Sequence, residues 1–329
     1  MQAFEYANPT TLDEALRMLG AKWGEAEILA GGTDLLSLMK NGVATPKRLV
    51  NIKGLADLRG ISSNREGIRL GALVTVEELL NDRTVRAAYP SLITAAQGIT
   101  SPQIRNTGTV GGDLCQRPRC WYFRNGFGLL PKDEEGRPLV ARGDNRYHSI
   151  FATEGAAHFV NASSFAPPLT ALGAKVRIAG PQGRREVTLD KFYVIPKSES
   201  DRETVLQSNE ILTEIVIPAA SRNLRNQTYE VRQRHLLDWP LATASVALRL
   251  VAGRVVTARI VMGHVAPVPW VANDAEQWLQ GQSLDEQTAG QAAEAALLRA
   301  MPLSRNAYKV KIARTAVKRA LVAAAKGGA

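Results

Sequence analysis

The chain has 329 residues, 45% of them apolar and 22% charged, and a formal net charge of +10. That length and composition suit two domains with ordinary packed cores, and no apolar run approaches the roughly 18–20 residues of a membrane-spanning helix. The basic residues are scattered and not interleaved with aromatics, which argues against a nucleic-acid partner and for complementarity with an acidic protein.

The opening MQAFEYANPTTLDEAL has neither the basic nor the apolar region of an export signal. The expected location is therefore cytoplasmic, or periplasmic by co-export with a signal-bearing partner. Thr11 and Glu14 have capping-box spacing, Leu12, Ala15, Leu16 and Leu19 recur at helical intervals, and Gly20 stands where a C-terminal cap belongs. With strands expected at 3–6, 27–30 and 48–52, residues 1–55 read as a small β-α-β-type unit. A second unit opens with a strand at 67–73, a helix capped by Thr75 and Glu78, and a longer helix over 84–97. Residues 125–147 are polar and rich in Gly, Pro and charge, and read as an inserted surface loop. Strands are expected at 174–178 and 211–217, and 218–223 reads as a linker. From about residue 222 the pattern changes to alternating strands at 242–251 and 254–265, then Ala-rich helical segments at 274–300 and 306–325. That predicts a separate C-terminal α+β domain.

Two double-glycine loops carry the chemistry. One is Leu29-Ala30-Gly31-Gly32-Thr33-Asp34-Leu35, following a strand; the other is Thr109-Val110-Gly111-Gly112-Asp113. Without Cβ atoms, such backbones can approach phosphate oxygens and present successive N–H groups, and Thr33 and Thr109 add hydroxyls. Two loops so far apart could clamp one pyrophosphate from both sides, as a dinucleotide requires. Neither is GxGxxG or a P-loop, and a pair of tight turns is the competing reading. The second loop runs into Cys115 and Cys120, the only cysteines. They exclude a disulfide framework and an all-cysteine cluster within this chain alone.

Several stretches in order resemble the FAD-binding middle subunit of the xanthine dehydrogenase and molybdenum hydroxylase family. They are AGGTDLLSLMKNGVATPKRLVNI, GALVTVEELL, SPQIRNTGTVGGDL, SSFAPPLTALGA, NEILTEIVIP, VRQRHLLDWPLATASVAL, GHVAPVPW and NAYKVKIARTAVKRAL. The loop LCQRPRCWYFR with NRYHSIF is similar to the periplasmic aldehyde oxidoreductase subgroup. The resemblance implies a PCMH-type (vanillyl-alcohol-oxidase-like) FAD-binding domain over 1–220, in subdomains 1–55 and 56–220 with an insert at about 115–158. It also implies a C-terminal α+β domain over 222–329, with a small antiparallel sheet and a helical bundle. FAD would lie between the two N-terminal subdomains, held by residues 29–35, by Thr109, Gly111, Gly112 and Asp113, and by Ser164.

Where the family has an acidic residue after Ser163, this chain has Ser164, and Glu230 stands where Lys is usual. In the subgroup the insert holds a [4Fe–4S] cluster through four cysteines. Cys120 fits the first ligand, but no cysteine stands near 125–128, 138 or 157. Two thiols cannot hold a cubane, so a cluster is not expected; a mixed site completed by His148, His158 and Asp113 is the rarer alternative. Cys115 and Cys120 then read as small apolar fillers, with an exposed reactive thiol as the alternative.

His235 and His264 read as structural, Trp239 and Trp270 as core or interface aromatics with Trp239 a possible flavin neighbour, and the helix from Lys309 to Arg319 as a solvated or docking face. The implied function is electron transfer within a heterotrimer. A large molybdenum-cofactor subunit would oxidise an aldehyde or N-heterocycle, a small [2Fe–2S] subunit would relay electrons, and FAD here would pass them to an external acceptor. No catalytic acid, base or nucleophile is assigned. A stand-alone FAD oxidase and a flavin-free structural subunit are the alternatives.

Overall fold

A computed structural model gives the architecture and describes residues 1–234 and 238–327. The first subdomain is β1 (Glu5–Ala7), α1 (Leu12–Met18), β2 (Ala26–Leu29), α2 (Leu35–Lys40) and β3 (Arg48–Asn51), with a parallel sheet in the order β1-β3-β2. Thr11 caps α1 through the Glu14 amide, but the Glu14 carboxylate returns to Thr10 instead of Thr11, so the box is shifted by one residue. Gly20 is not the cap either. The helix stops at Met18, Leu19 is already extended, and the missing Cβ of Gly20 makes room for Glu25.

The second subdomain begins with β4 (Ile61–Ser63) and β5 (Gly67–Gly71), followed by helices α3 (Val76–Asn81), α4 (Arg83–Ala88), α5 (Pro90–Gly98), α6 (Pro102–Thr107) and α7 (Val110–Leu114). Thr75 and Glu78 form a complete capping box on α3. The single helix expected over 84–97 is two, because Pro90 disfavours helical geometry at Tyr89 (φ −131°, ψ 64°). The insert carries α8 (Trp121–Arg124) and α9 (Leu139–Arg142). The chain then forms α10 (Ala166–Ala171), β6 (Lys175–Gly180), β7 (Gly183–Thr188), α11 (Leu189–Phe192) and β8 (Ile211–Pro218). The antiparallel order is β4-β5-β8-β6-β7, so β8 returns to pair with β5 across all the intervening helices.

The C-terminal unit has β9 (Arg225–Val231), β10 (Ala242–Val251), β11 (Arg254–Gly263) and β12 (Trp270–Val271), antiparallel in the order β12-β11-β10-β9. The Ala-rich segment divides into α12 (Asn273–Leu279) and α13 (Glu286–Ala296), and α14 (Tyr308–Ala325) closes the fold. Ala313, Ala316, Val317, Ala320, Leu321 and Ala324 form one buried stripe on α14. Their small side chains let the helix lie close against β9 and β10.

The units share cores. Leu73 and Ile211 complete the apolar cluster of the first subdomain, while Ile150 and Phe151, at the end of the insert, belong to that of the C-terminal unit. Phe151 stacks on Trp270 with ring centroids 4.6 Å apart.

Candidate cofactor site

Strand β2 delivers the chain to Gly31 and Gly32, where it turns into α2. Gly32 has φ +73°, a left-handed conformation that a side chain would strain. Among the described residues, the backbone amides of Gly31, Gly32, Thr33 and Asp34 donate to no carbonyl or side chain. Four successive free N–H groups at a glycine turn make a nest for an anion.

The second loop is built differently. Its amides are used by the fold: Val110 donates to the Val74 carbonyl (2.8 Å), Gly111 to that of Ala72 (3.0 Å), Gly112 to Thr109 Oγ1 (3.1 Å) and Asp113 to the Thr109 carbonyl (2.8 Å). The expectation that both loops offer runs of N–H groups is therefore corrected, because the second loop is the Thr109-capped first turn of α7 and docks on the segment that follows β5. It supplies a close-lying backbone surface and the Thr109 hydroxyl proton. A Cβ on Gly111 would sit 2.8 Å from that of Ala72, and one on Gly31 would sit 1.9 Å from the Thr107 carbonyl oxygen. The double glycines thus also let the two loops touch each other and the sheet.

The two carboxylates of the motifs are engaged by donors of the fold. Asp34 accepts from the Arg117 amide (2.9 Å) and pairs with Arg124 (2.8 Å) and Arg119 (3.2 Å), fastening the first loop to the insert. Asp113 accepts from the Ser163 hydroxyl, the Phe165 amide (3.1 Å) and the Ser164 amide (3.3 Å). Burial pushes its pKa up to about 6 against the pull of those donors. Leu29 does not face the site but packs with Met39 and Leu49.

Two clefts open from the loops, and Thr33, Asp34, Thr109 and Gly112 line both. The larger, about 1410 Å³ including its mouth, also takes in Ala30, Gly31 and Leu35. The smaller, about 790 Å³, takes in Asp113 and Ser164. The loops are thus the waist of a two-chambered groove, the shape a dinucleotide needs if its pyrophosphate lies at the waist. Sequence reading missed the charged wall of the larger chamber: Arg202 pairs with Glu27 (3.0 Å) and Arg117 with Glu203 (2.8 Å). Burial pushes Glu27 up to about 7. Arg117 stood in the quoted QRPRC run, but Glu27, Arg202 and Glu203 carry no local signature.

Burial pushes the Cys115 thiol up to about 12, helped by the charge of Asp113, and the sulfur packs against the main core. Burial also raises Cys120, whose Sγ lies 3.1 Å from His148 Nε2. Ala157, at one of the missing ligand positions, is buried with Leu38, Phe123, Leu129, Leu130 and Phe159. Each buried Leu or Phe there contributes on the order of 1.5–3 kcal/mol, so apolar packing organises the insert. Among the described residues, no group of three or more His, Cys, Asp or Glu is placed to hold a metal.

Glu230 is buried beside Arg232 (2.5 Å), which compensates its charge, and burial raises its pKa. Trp239 is 41% exposed, lines the smaller chamber and carries the Arg119 guanidinium 4.5 Å over its ring. Lys309 corrects the sequence reading outright. It is buried, not solvated, because α14 begins by turning this side chain inward onto the carbonyls of Tyr147 (3.3 Å), His148 (2.9 Å) and His264 (2.7 Å). His235 lies outside the described residues.

Comparison with known proteins supplies the rest. Residues 2–220 match the FAD binding domain in molybdopterin dehydrogenase, and residues 227–324 match the CO dehydrogenase flavoprotein C-terminal domain. The carbon monoxide dehydrogenase medium chain of Hydrogenophaga pseudoflava is 31% identical, covering 98% of this chain and 96% of its own. The aldehyde oxidoreductase FAD-binding subunit PaoB of Escherichia coli is 30% identical, covering 95% and 96%. Among solved structures, H. pseudoflava carbon monoxide dehydrogenase lacking the Mo-pyranopterin moiety superposes with a TM-score of 0.78 at 30% identity, covering 100% and 99%. Quinoline 2-oxidoreductase from Pseudomonas putida 86 gives 0.76 at 28% identity, covering 99% and 98%.

Proposed function

The chain belongs to the FAD-binding subunit family of the molybdopterin dehydrogenases, and from that premise we propose that it works within a heterotrimer. Its partners would be a large molybdenum-cofactor subunit and a small [2Fe–2S] subunit. The substrate class would be aldehydes or N-heterocycles, and electrons would leave to an external acceptor. Relatives named as a medium chain and as an FAD-binding subunit of an aldehyde oxidoreductase support this reading.

The observation that carries the cofactor assignment is the run of four free amides, Gly31 to Asp34, facing a second glycine loop across a two-chambered groove. Bound FAD supplies the exchange between paired and single electrons that such an enzyme needs. The protein's own contribution is binding and tuning. The amides of 31–34 and the Thr109 hydroxyl hold the pyrophosphate, and the contact between Gly31 and Thr107 keeps the loops at fixed separation. Ser164 and Trp239, the residues expected beside the flavin, line the smaller chamber, which would take the ring and leave the larger to the adenosine end. In the larger chamber Glu27 and Glu203, balanced by Arg202 and Arg117, set the local field. Asp113 and Asp34 brace the loops, and the charge of Asp34 at the waist is balanced by Arg119 and Arg124.

The deciding experiment is a visible spectrum with iron analysis, on this chain alone and on the complex co-purified with its partners. Flavin bands with no stoichiometric iron in the isolated chain, and flavin, iron and molybdenum together in the complex, are expected. No flavin in either sample would leave a structural subunit, and full turnover by the isolated chain would leave a stand-alone oxidase.

A further inference from the structure

The smaller chamber of the groove has two cations on its wall, Arg119 and Arg232. Arg119 is balanced by Asp34 at 3.2 Å, and Asp34 lines the chamber beside it. Arg232 differs, because its counter-charge, Glu230, stands behind it in the wall.

The alternation of β9 brings Glu230 and Arg232 to the same side of the chain. Arg232 donates from Nε (3.1 Å) and Nη2 (2.5 Å) to Glu230 Oε2, and from Nη1 to the Asp238 carbonyl (2.9 Å). Those bonds use three of the five N–H groups of a guanidinium and fix its plane, leaving two for an acceptor in the chamber. The Arg232 side chain is 11% exposed and that of Glu230 is 9%. Gly98 lines the same chamber, and a Cβ there would collide with both Arg232 Nη2 and Glu230 Oε2, so the pair fills the space that a glycine leaves.

Glu230 Oε1 is buried without a hydrogen-bond partner, and among the described residues only Arg232 bonds to this carboxylate. Burial opposes its charge and Arg232 sustains it. An ion pair with its positive end at a chamber wall and its negative end behind acts on an occupant as a fixed, weakly screened dipole.

We propose that this pair sets the potential of the flavin: Arg232 is the cation facing the ring chamber, and Glu230 is a positioning residue that holds Arg232 and offsets its charge. The inference rests on the flavin reading above and on the ring taking the smaller chamber. Reduced flavin is richer in electrons than oxidised flavin, so a cation on the wall favours the reduced form and a carboxylate opposes it. Neutralising Glu230 therefore raises the potential. Removing both charges lowers it below that of the wild type, because the nearer end of the dipole is positive.

Spectroelectrochemical titration of the FAD-loaded full chain tests this, at about pH 8, where a carboxylate paired with arginine is ionised. Bound flavin is measured first. Glu230→Gln keeps the shape and still accepts from Arg232. Its affinity for reduced over oxidised FAD should rise at least about tenfold, an upward shift of about 30 mV for a two-electron couple. The double variant Glu230→Gln with Arg232→Gln should fall below the wild type, a reversal that a merely structural pair would not give. That variant leaves neither charge of the pair buried, so it carries the test if Glu230→Gln alone loses flavin. With flavin bound, an unmoved or lowered potential in Glu230→Gln, or a double variant at or above the wild type, would overturn the proposal and leave the cofactor reading intact. Loss of flavin from both variants would make the pair part of the scaffold and overturn it too. Absence of flavin from the wild type would overturn the cofactor reading itself.

Discussion

The Lys309 ammonium lies 2.7 Å from the carbonyl oxygen of His264, a residue strained at φ +61° at the end of β11. The same nitrogen holds the carbonyls of Tyr147 and His148, so one side chain joins α14, the sheet and the end of the insert. Burial pushes its pKa down to about 7, and three carbonyls take the place of water.

Lys309→Met should therefore destabilise the protein by about 2–4 kcal/mol. Removing the buried charge is favourable by itself, but the carbonyls of Tyr147 and His264 are stranded, while that of His148 keeps the Asn306 amide (3.2 Å). Urea unfolding gives the magnitude, and proteolysis should cut the insert faster. An unchanged midpoint would mean that the clasp holds nothing together.

Acid should unmask the buried imidazoles. Burial holds His148 down to about 4 and His264 to about 3, below the ordinary 6.5. As pH falls below 6.5 the unfolded chain takes up protons that the native state refuses, so these groups lower stability toward acid. His264→Leu removes one such proton, and its urea midpoint should fall less steeply between pH 7 and 5 than that of the wild type. The difference is at most about 1.4 kcal/mol per pH unit. Parallel pH profiles would show that His264 titrates normally.

At the waist of the groove, Gly31→Ala should weaken FAD binding at least about tenfold. The added Cβ would fall 1.9 Å from the Thr107 carbonyl oxygen, so one of the two loops must move. Gly54→Ala, with no atom within 4 Å of its Cβ, is the control. Flavin fluorescence titration of both variants reads the effect.

Much of this was legible in the chain. Thr75 and Glu78, two residues in local reach, announced α3, and the alternation of 242–251 announced β10, because both signals lie within one element. The double glycines marked the loops, but not that the second spends amides on Val74 and Ala72, since that depends on a segment after β5 that is distant in sequence. Lys309 looked solvated because helical spacing says nothing about a neighbour 160 residues away. Glu27, Arg202 and Glu203 meet only in the folded state. Cys120 suggested a metal ligand, yet its partners in space are His148 and an apolar cluster, which only packing could reveal.

Asp34 offers the most direct test of how the insert serves the groove. Its carboxylate takes the Arg117 amide and two guanidiniums, with side-chain exposures of 15% for Asp34 and 12% for Arg124. Asp34→Asn keeps the shape but leaves Arg119 and Arg124 without their shared counter-charge. Partial exposure tempers the loss to about 1–3 kcal/mol. Arg117 and Arg119 flank the groove, so the insert should loosen at its attachment and FAD affinity should fall with it. The informative comparison is proteolysis of residues 115–158 in flavin-saturated protein. Faster cutting in Asp34→Asn but not in Gly31→Ala would establish Asp34 as the fastening of the insert. Cutting of Asp34→Asn no faster than that of the wild type would show that Asp34 does not fasten the insert.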